Sequence, residues 1–128
     1  MNPEYFKTRF RTKEPKIQFP EEFIIITAYP TTGETWDHSI INESDQKLEK
    51  ELKLRKSWML RIEGYSPETG HAEPGWVTIM PLDEGRKLGL QFKQDAIFHV
   101  WKDVLSVIHC DPKGELVEIG SFRQRLDK

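Results

Sequence analysis

GRKLGLQFKQDAIFHVW, residues 85 to 101, changes its period in the middle. Gly85, Leu88, Gly89 and Phe92 fall at the spacing of one helical face, whereas Ala-Ile-Phe-His-Val-Trp from 96 to 101 has the β-branched and aromatic content of a strand. Lys93, Gln94 and Asp95 stand at the junction and can be read as a helix-to-strand connection or as a site. The two glycines each cost about 1 kcal/mol relative to alanine in a helix, so they imply that this face lies close against a sheet. Phe92 is then expected to be the last buried residue of the helix. Gln94, whose amide both donates and accepts, is suited to bridge the turn to the loop after Tyr29, and Asp95 stays at the rim.

Working outward, residues 104 to 110 form a second strand, paired to 95 to 101 through a turn at Lys102-Asp103. A two-residue turn sets Trp101 opposite Val104 and His99 opposite Ser106, with Asp95 on the same side. Upstream, Asp83 is placed to cap the short helix, and strands are expected at 76 to 80 and 58 to 65, the latter alternating strictly. Glu22 to Tyr29, with three consecutive isoleucines, suits a central strand covered on both faces. Asn42 to Asp45 offers caps for a helix through QKLEKELKLRK, where Leu48 and Leu52 make a narrow apolar stripe and the Lys and Glu run a solvated face. Asn2-Pro3-Glu4 resembles a helix start, so residues 1 to 16 are read as an amphipathic N-terminal helix or arm. Residues 115 to 120 can add an edge strand, and 121 to 128 a flexible tail. The order of elements predicts an α+β fold, one domain over residues 1 to 128, with a largely antiparallel sheet of about five strands packed against two or three helices.

The 128 residues are enough for one hydrophobic core, with 37% hydrophobic and 31% charged side chains. A formal charge of -2 and a pI near 6.1 provide no general attraction to phosphate, so nucleic acid is not an expected partner. Local contact through the basic ends, Arg9, Arg11, Arg123 and Arg125, is the one such reading that survives. A single cysteine, Cys110, allows neither an internal disulfide nor a cysteine zinc cage and favours a reducing, cytoplasmic setting. The longest apolar run, Phe23 to Ile26, is far too short to span a membrane, and the first residues lack a signal-like apolar stretch.

ITAYPTTGE after the first strand, Asn42 ahead of the Leu48 and Leu52 helix, the Glu73-Pro74 step and FKQDAIF together resemble a small bacterial family, domain of unknown function 3293. The likeness runs from about residue 22 to 101. In that family the first strand ends in Thr-Ala-aromatic, an Asn opens the long helix and Phe-Gly-Gln begins the late strand. Thr27, Ala28, Tyr29 and Pro30 match here, while the Asn that precedes the family's proline is absent and Lys93 stands in place of the Gly. The resemblance implies a fold and, carried onto this chain, six polar positions: Thr27, Tyr29, Asn42, Glu73, Gln94 and Asp95. All fall at strand ends or helix starts, where Asn42 serves as a helix cap, Gln94 and Asp95 as turn residues and Glu73 as a clamp on the loop backbone. As a functional set they form one rim that binds a small ligand or a partner segment.

Other chemistries fail on their parts. His71-Ala72-Glu73-Pro74 matches half of a zinc deaminase signature, but the Pro-Cys-x-x-Cys half is missing. A site from His38, His71, Asp37 and Glu73 lacks ligand spacing, and no metal or other cofactor is expected. Asp95, His99 and Ser106 share a face without a nucleophile elbow or an oxyanion hole. Gly85 and Gly89 lie inside a helix and lack a Walker lysine. The expected function is therefore binding at the polar rim. The alternative is an enzyme on a small polar substrate, with Glu73 or Asp95 as general base and Tyr29 or His71 assisting.

Overall fold

The computed structural model describes residues 3–14, 16–29 and 38–127. After a 3-10 helix at Pro3–Lys7 come β1 (Arg9–Arg11), β2 (Glu22–Thr27), α1 (His38–Leu54), β3 (Met59–Tyr65) and β4 (Ala72–Thr78). α2 (Leu82–Gln91), β5 (Ala96–Trp101), β6 (Val104–His109), β7 (Leu116–Ser121) and α3 (Phe122–Arg125) complete the order. The fold is α+β. Its sheet has seven strands rather than about five, in the order β1-β3-β4-β2-β5-β6-β7 with every neighbouring pair antiparallel.

The extra strand lies where an amphipathic helix was expected. The proline start gives one 3-10 helix, and Arg9–Arg11 then pairs with β3. Three residues are too few to show alternation, so only the partner strand reveals it. The segment expected to be a loose tail is also built in. Phe122 is 2% exposed, Leu126 bridges Phe10, and the Asp127 amide donates to the Phe10 carbonyl at 2.8 Å. Arg125 adds bonds to the carbonyls of Phe6 (2.9 Å), Thr8 (3.1 Å) and Ile119 (2.8 Å). The sheet therefore curls until its two edges meet through the C-terminal segment, which removes exposed ladder groups from both.

Curling divides the core by side-chain parity. Ile24, Ile26, Ile97 and Ile108 point outward to Leu48 and Leu52 of α1 and Leu88 of α2. Phe23, Ile25, Val77, Val100 and Leu105 point inward, where Phe10 and Phe122 join them. β2 is central and covered on both faces, as its isoleucine run implies.

Local chemistry explains the boundaries. α1 starts at His38, four residues before Asn42, so Asn42 is an exposed residue inside the helix and not its cap. Its outer face carries the expected pairs Lys47–Glu43, Lys53–Glu49 and Arg55–Glu51. β4 begins at Ala72 and includes Pro74, which was expected in a loop. The proline is tolerated because β2 ends at Thr27 opposite Gly75, so no strand lies beside Pro74 on that side. Pro81, not Asp83, precedes α2, and Asp83 sits in the first turn.

On α2, a Cβ on Gly85 would lie 2.9 Å from Ile24 Cδ1, and one on Gly89 2.5 Å from Cys110 Sγ. That close approach is what the glycine spacing implied. The β5–β6 turn has Lys102 and Asp103 at φ 47° and 70°, the two left-handed positions of a tight hairpin, with Trp101 opposite Val104 and His99 opposite Ser106 as the two-residue turn requires.

Candidate functional site

The antiparallel register brings the end of β2, the end of β3, the start of β4, the start of β5 and the end of β6 to one end of the curled sheet. The junction from 92 to 95 lies there. α2 closes in a Schellman motif: the Lys93 amide donates to the Leu90 carbonyl at 3.0 Å and the Gln94 amide to the Gly89 carbonyl at 2.8 Å. Lys93 adopts φ 60°, the left-handed conformation that glycine takes without cost, which gives a physical reason for a glycine there in the resembling pattern. Phe92 is partly buried on the helix-covered core.

Gln94, 8% exposed, holds this end together. Its Nε2 donates to the Tyr29 carbonyl at 2.6 Å and the Phe92 carbonyl at 2.9 Å, while its Oε1 accepts the Thr27 hydroxyl at 3.0 Å. The bridge expected from sequence thus exists, although the donor to its Oε1 is a side-chain hydroxyl rather than a backbone N–H, and its Nε2 reaches Tyr29 itself.

Glu73 lies inward by the two-residue period of β4, opposite Gly64, and is half-buried. Burial raises its pKa, and His71, Nε2 to Oε2 3.7 Å, partly opposes the shift. The Tyr29 hydroxyl is also raised, first by burial and then by the charges of Asp45 and Glu73. Tyr5 sets its ring edge-on to Phe98 at 5.9 Å, and its hydroxyl is pushed up to about 12 by burial, then by Asp95, Glu73 and Cys110. Asp95 is exposed at the rim.

Of the six polar positions, Thr27, Tyr29 and Gln94 are joined by hydrogen bonds, while Glu73 and Asp95 touch none of them directly among the described hydrogen bonds and act on this end through their charges, Glu73 on Tyr29 and both on Tyr5. Asn42 stands apart on α1, one turn before Asp45, and no described hydrogen bond ties it to the other five. Asp45 itself grips Arg61 with both oxygens, at 2.9 and 2.8 Å, and the guanidinium stacks over Trp76 at 4.5 Å.

Two residues at this end were not singled out from sequence. Tyr5 belongs to a segment whose strand was missed. His109 faces inward opposite Ala96, and its Nε2 is shielded from solvent with no hydrogen-bond partner among the described residues. Continuing the hairpin register three residues beyond the His99–Ser106 pair would have found it.

Of the other candidate groupings, His99 stays opposite Ser106, but it turns its Nε2 to Glu22 at 2.8 Å, and Ser106 is buried. Among the described residues no group of three or more His, Cys, Asp or Glu is placed to hold a metal ion; Asp37 lies outside those residues, and of His38 only the backbone is described. Arg9 pairs with Asp127 at 3.1 Å, Arg11 with Glu63, and Arg123 lies 4.0 Å from Asp103. Arg125 bonds backbone carbonyls, so Arg9, Arg11 and Arg125 are engaged within the fold while the Arg123 side chain stays exposed. No described helix is long and apolar enough to cross a membrane.

A family model described as a protein of unknown function, DUF3293, matches residues 26–97. The chain belongs to this family. No curated protein and no solved structure matches it. The DUF3293 segment runs from Ile26 in β2 to Ile97 in β5 and contains all six polar positions, whereas Tyr5 and His109 come from outside it.

Proposed function

We propose that the chain acts by binding a small ligand or a partner segment at this end of the sheet, through Thr27, Tyr29, Glu73, Gln94 and Asp95. A single bacterial domain is part of this reading, and a cytoplasmic setting goes with it, since the one cysteine is a buried free thiol. The observation that carries the proposal is Glu73. Its carboxyl is held half-buried at a strand end, Oε2 3.7 Å from His71 Nε2, and the burial disfavours its charged form. Groups kept at such a cost concentrate at sites. Thr27 and Gln94 supply the frame, because their hydrogen bonds are already spent on each other and on the backbone.

Titration of the 15N-labelled chain with a set of small amines, amides, acids and polyols tests the proposal. Amide shifts should cluster at Tyr29, Glu73 and Asp95; shifts scattered over the surface, or confined to the outer face of α1, would reject it. The cost at Glu73 has its own check. A carboxyl whose folded pKa is raised favours the folded state below its unfolded pKa and loses that advantage as pH rises through the folded pKa. Glu73→Gln should therefore raise the melting temperature at neutral pH, with the gain vanishing as pH falls below the ordinary carboxylate range. An equal gain at every pH would show that the charge is not the cause.

The raised Glu73 pKa beside His71 also favours a second reading, a general base acting on a small polar substrate. Under it, Glu73→Gln abolishes turnover of a substrate that still binds.

A further inference from the structure

The inward row across this end reads Ile62, Gly75, Thr27, Ala96 and His109, so three small residues separate an isoleucine from a histidine. Continuing the β2–β5 register beyond Ile25↔Phe98 sets Thr27 beside Ala96. Tyr5 enters from the N-terminal 3-10 helix and sets its ring against Phe98, the next inward residue of β5. Glu73 comes from β4 and His109 from β6. Three polar side chains from three separate elements thus face the same end of the interior.

The hydrogen-bonding capacity of that end is lopsided. Both described donations of the Gln94 amide go to carbonyls, the Thr27 hydroxyl donates to Gln94, and the Arg61 guanidinium is spent on Asp45 and the Trp76 face. Apart from the buried, unpartnered Trp76 Nε1–H on the helix-covered face, what remains is the Glu73 carboxyl, the rim carboxylate of Asp95, and the shielded, unpartnered Nε2 of His109. A neutral imidazole protonated on Nδ1 offers that nitrogen as an acceptor. Buried acceptors without donors are costly, and a ligand that brings N–H groups removes the cost.

Resting on the binding reading above, we infer that this end receives a primary ammonium group, held by the Glu73 carboxylate, His109 Nε2 and the Tyr5 hydroxyl. The geometry favours ammonium over guanidinium. Three acceptors arriving from three elements suit the three divergent N–H bonds of an ammonium, whereas a guanidinium fork matches two oxygens of a single carboxylate. The ammonium can belong to a free small amine or to a lysine side chain presented by a peptide.

The test uses the full 15N-labelled chain at constant ionic strength, with ethylammonium, Nα-acetyl-lysine methylamide, tetramethylammonium and acetate as probes. Ethylammonium should give saturable shifts at the Glu73, Asp95 and His109 amides and at the His109 Nε2 resonance. Tetramethylammonium, which has the charge without N–H groups, should give none. Glu73→Gln and His109→Phe should each weaken ethylammonium binding at least tenfold; His109→Gln, which keeps an acceptor, should retain it and covers the case in which the phenylalanine variant fails to fold. A response to the lysine derivative as well would identify a peptide side chain as an admissible source, and a response to ethylammonium alone a free amine. Equal shifts from tetramethylammonium, or unchanged binding in folded His109→Phe, would overturn the inference. Shifts at the same residues from acetate but not from ammonium would overturn it while leaving the binding reading standing, and silence at this end toward all probes and the wider compound set would remove both.

Discussion

The outer and inner faces of this sheet bury comparable apolar sets by different means. Outside, aliphatic side chains of β2, β5 and β6 meet α1 and α2, elements whose own periodicity announces the contact. Inside, the core is aromatic and is assembled from distant parts of the chain: Phe10 lies 5.1 Å from Phe98 and 5.6 Å from Phe122, and Phe122 lies 5.2 Å from both Phe19 and Phe23. A face covered by helices is specified locally. A face closed by curling depends on the two ends of the chain finding each other, and the candidate site opens onto that second face.

The strongest way to break the comparison is Phe122→Ala. Removing a fully buried aromatic should cost about 3 to 5 kcal/mol in urea melts, and hydrogen exchange should show β1 and residues 126–127 losing protection ahead of α1. Uniform loss across both faces would mean that the inner face does not depend on closure.

Gln94→Ala probes where the two faces join. Leaving the Tyr29 carbonyl and the Thr27 hydroxyl without their partner should destabilise by about 1 to 3 kcal/mol, while Asp95→Asn at the exposed rim changes the denaturant midpoint little. The reverse ranking would move the structural role from Gln94 to Asp95.

Lys93→Gly sharpens the reading of the same turn. A non-glycine residue at φ 60° carries a strain of roughly 1 kcal/mol, so glycine should stabilise by up to about that amount. A loss would show that the lysine side chain contributes more than its backbone costs.

The smallest effect is expected at Asn42. As a helix cap it would cost about 1 kcal/mol to remove, but an exposed position inside α1 reverses the sign, and Asn42→Ala should raise stability by about 0.5 kcal/mol on helix propensity. Thermal melts distinguish the two.

Helix α2, its glycine face and the hairpin register were legible because each rests on contacts between near neighbours in sequence: Gly85 and Gly89 at helical spacing, Lys102-Asp103 as a two-residue turn. Gln94 was legible for the same reason, being the one amide at a junction that needs both a donor and an acceptor. The start of α1 misled because Asn42-Glu43-Ser44-Asp45 is a good cap sequence that the helix simply runs through. Pro74 hid the first half of β4, since whether a proline is tolerated in a strand depends on which neighbour ends beside it.

What the sequence determined by itself was therefore the class, the amphipathic faces and the polar turn, all consequences of periodicity and of side-chain chemistry over a few residues. Only the tertiary structure decided that Arg9–Arg11 is a strand, that Leu126 meets Phe10, and that Tyr5, Glu73 and His109 share one end of the interior. Those pairings join residues a hundred positions apart or lie on strands whose facing depends on the whole register, and no local pattern carries that information.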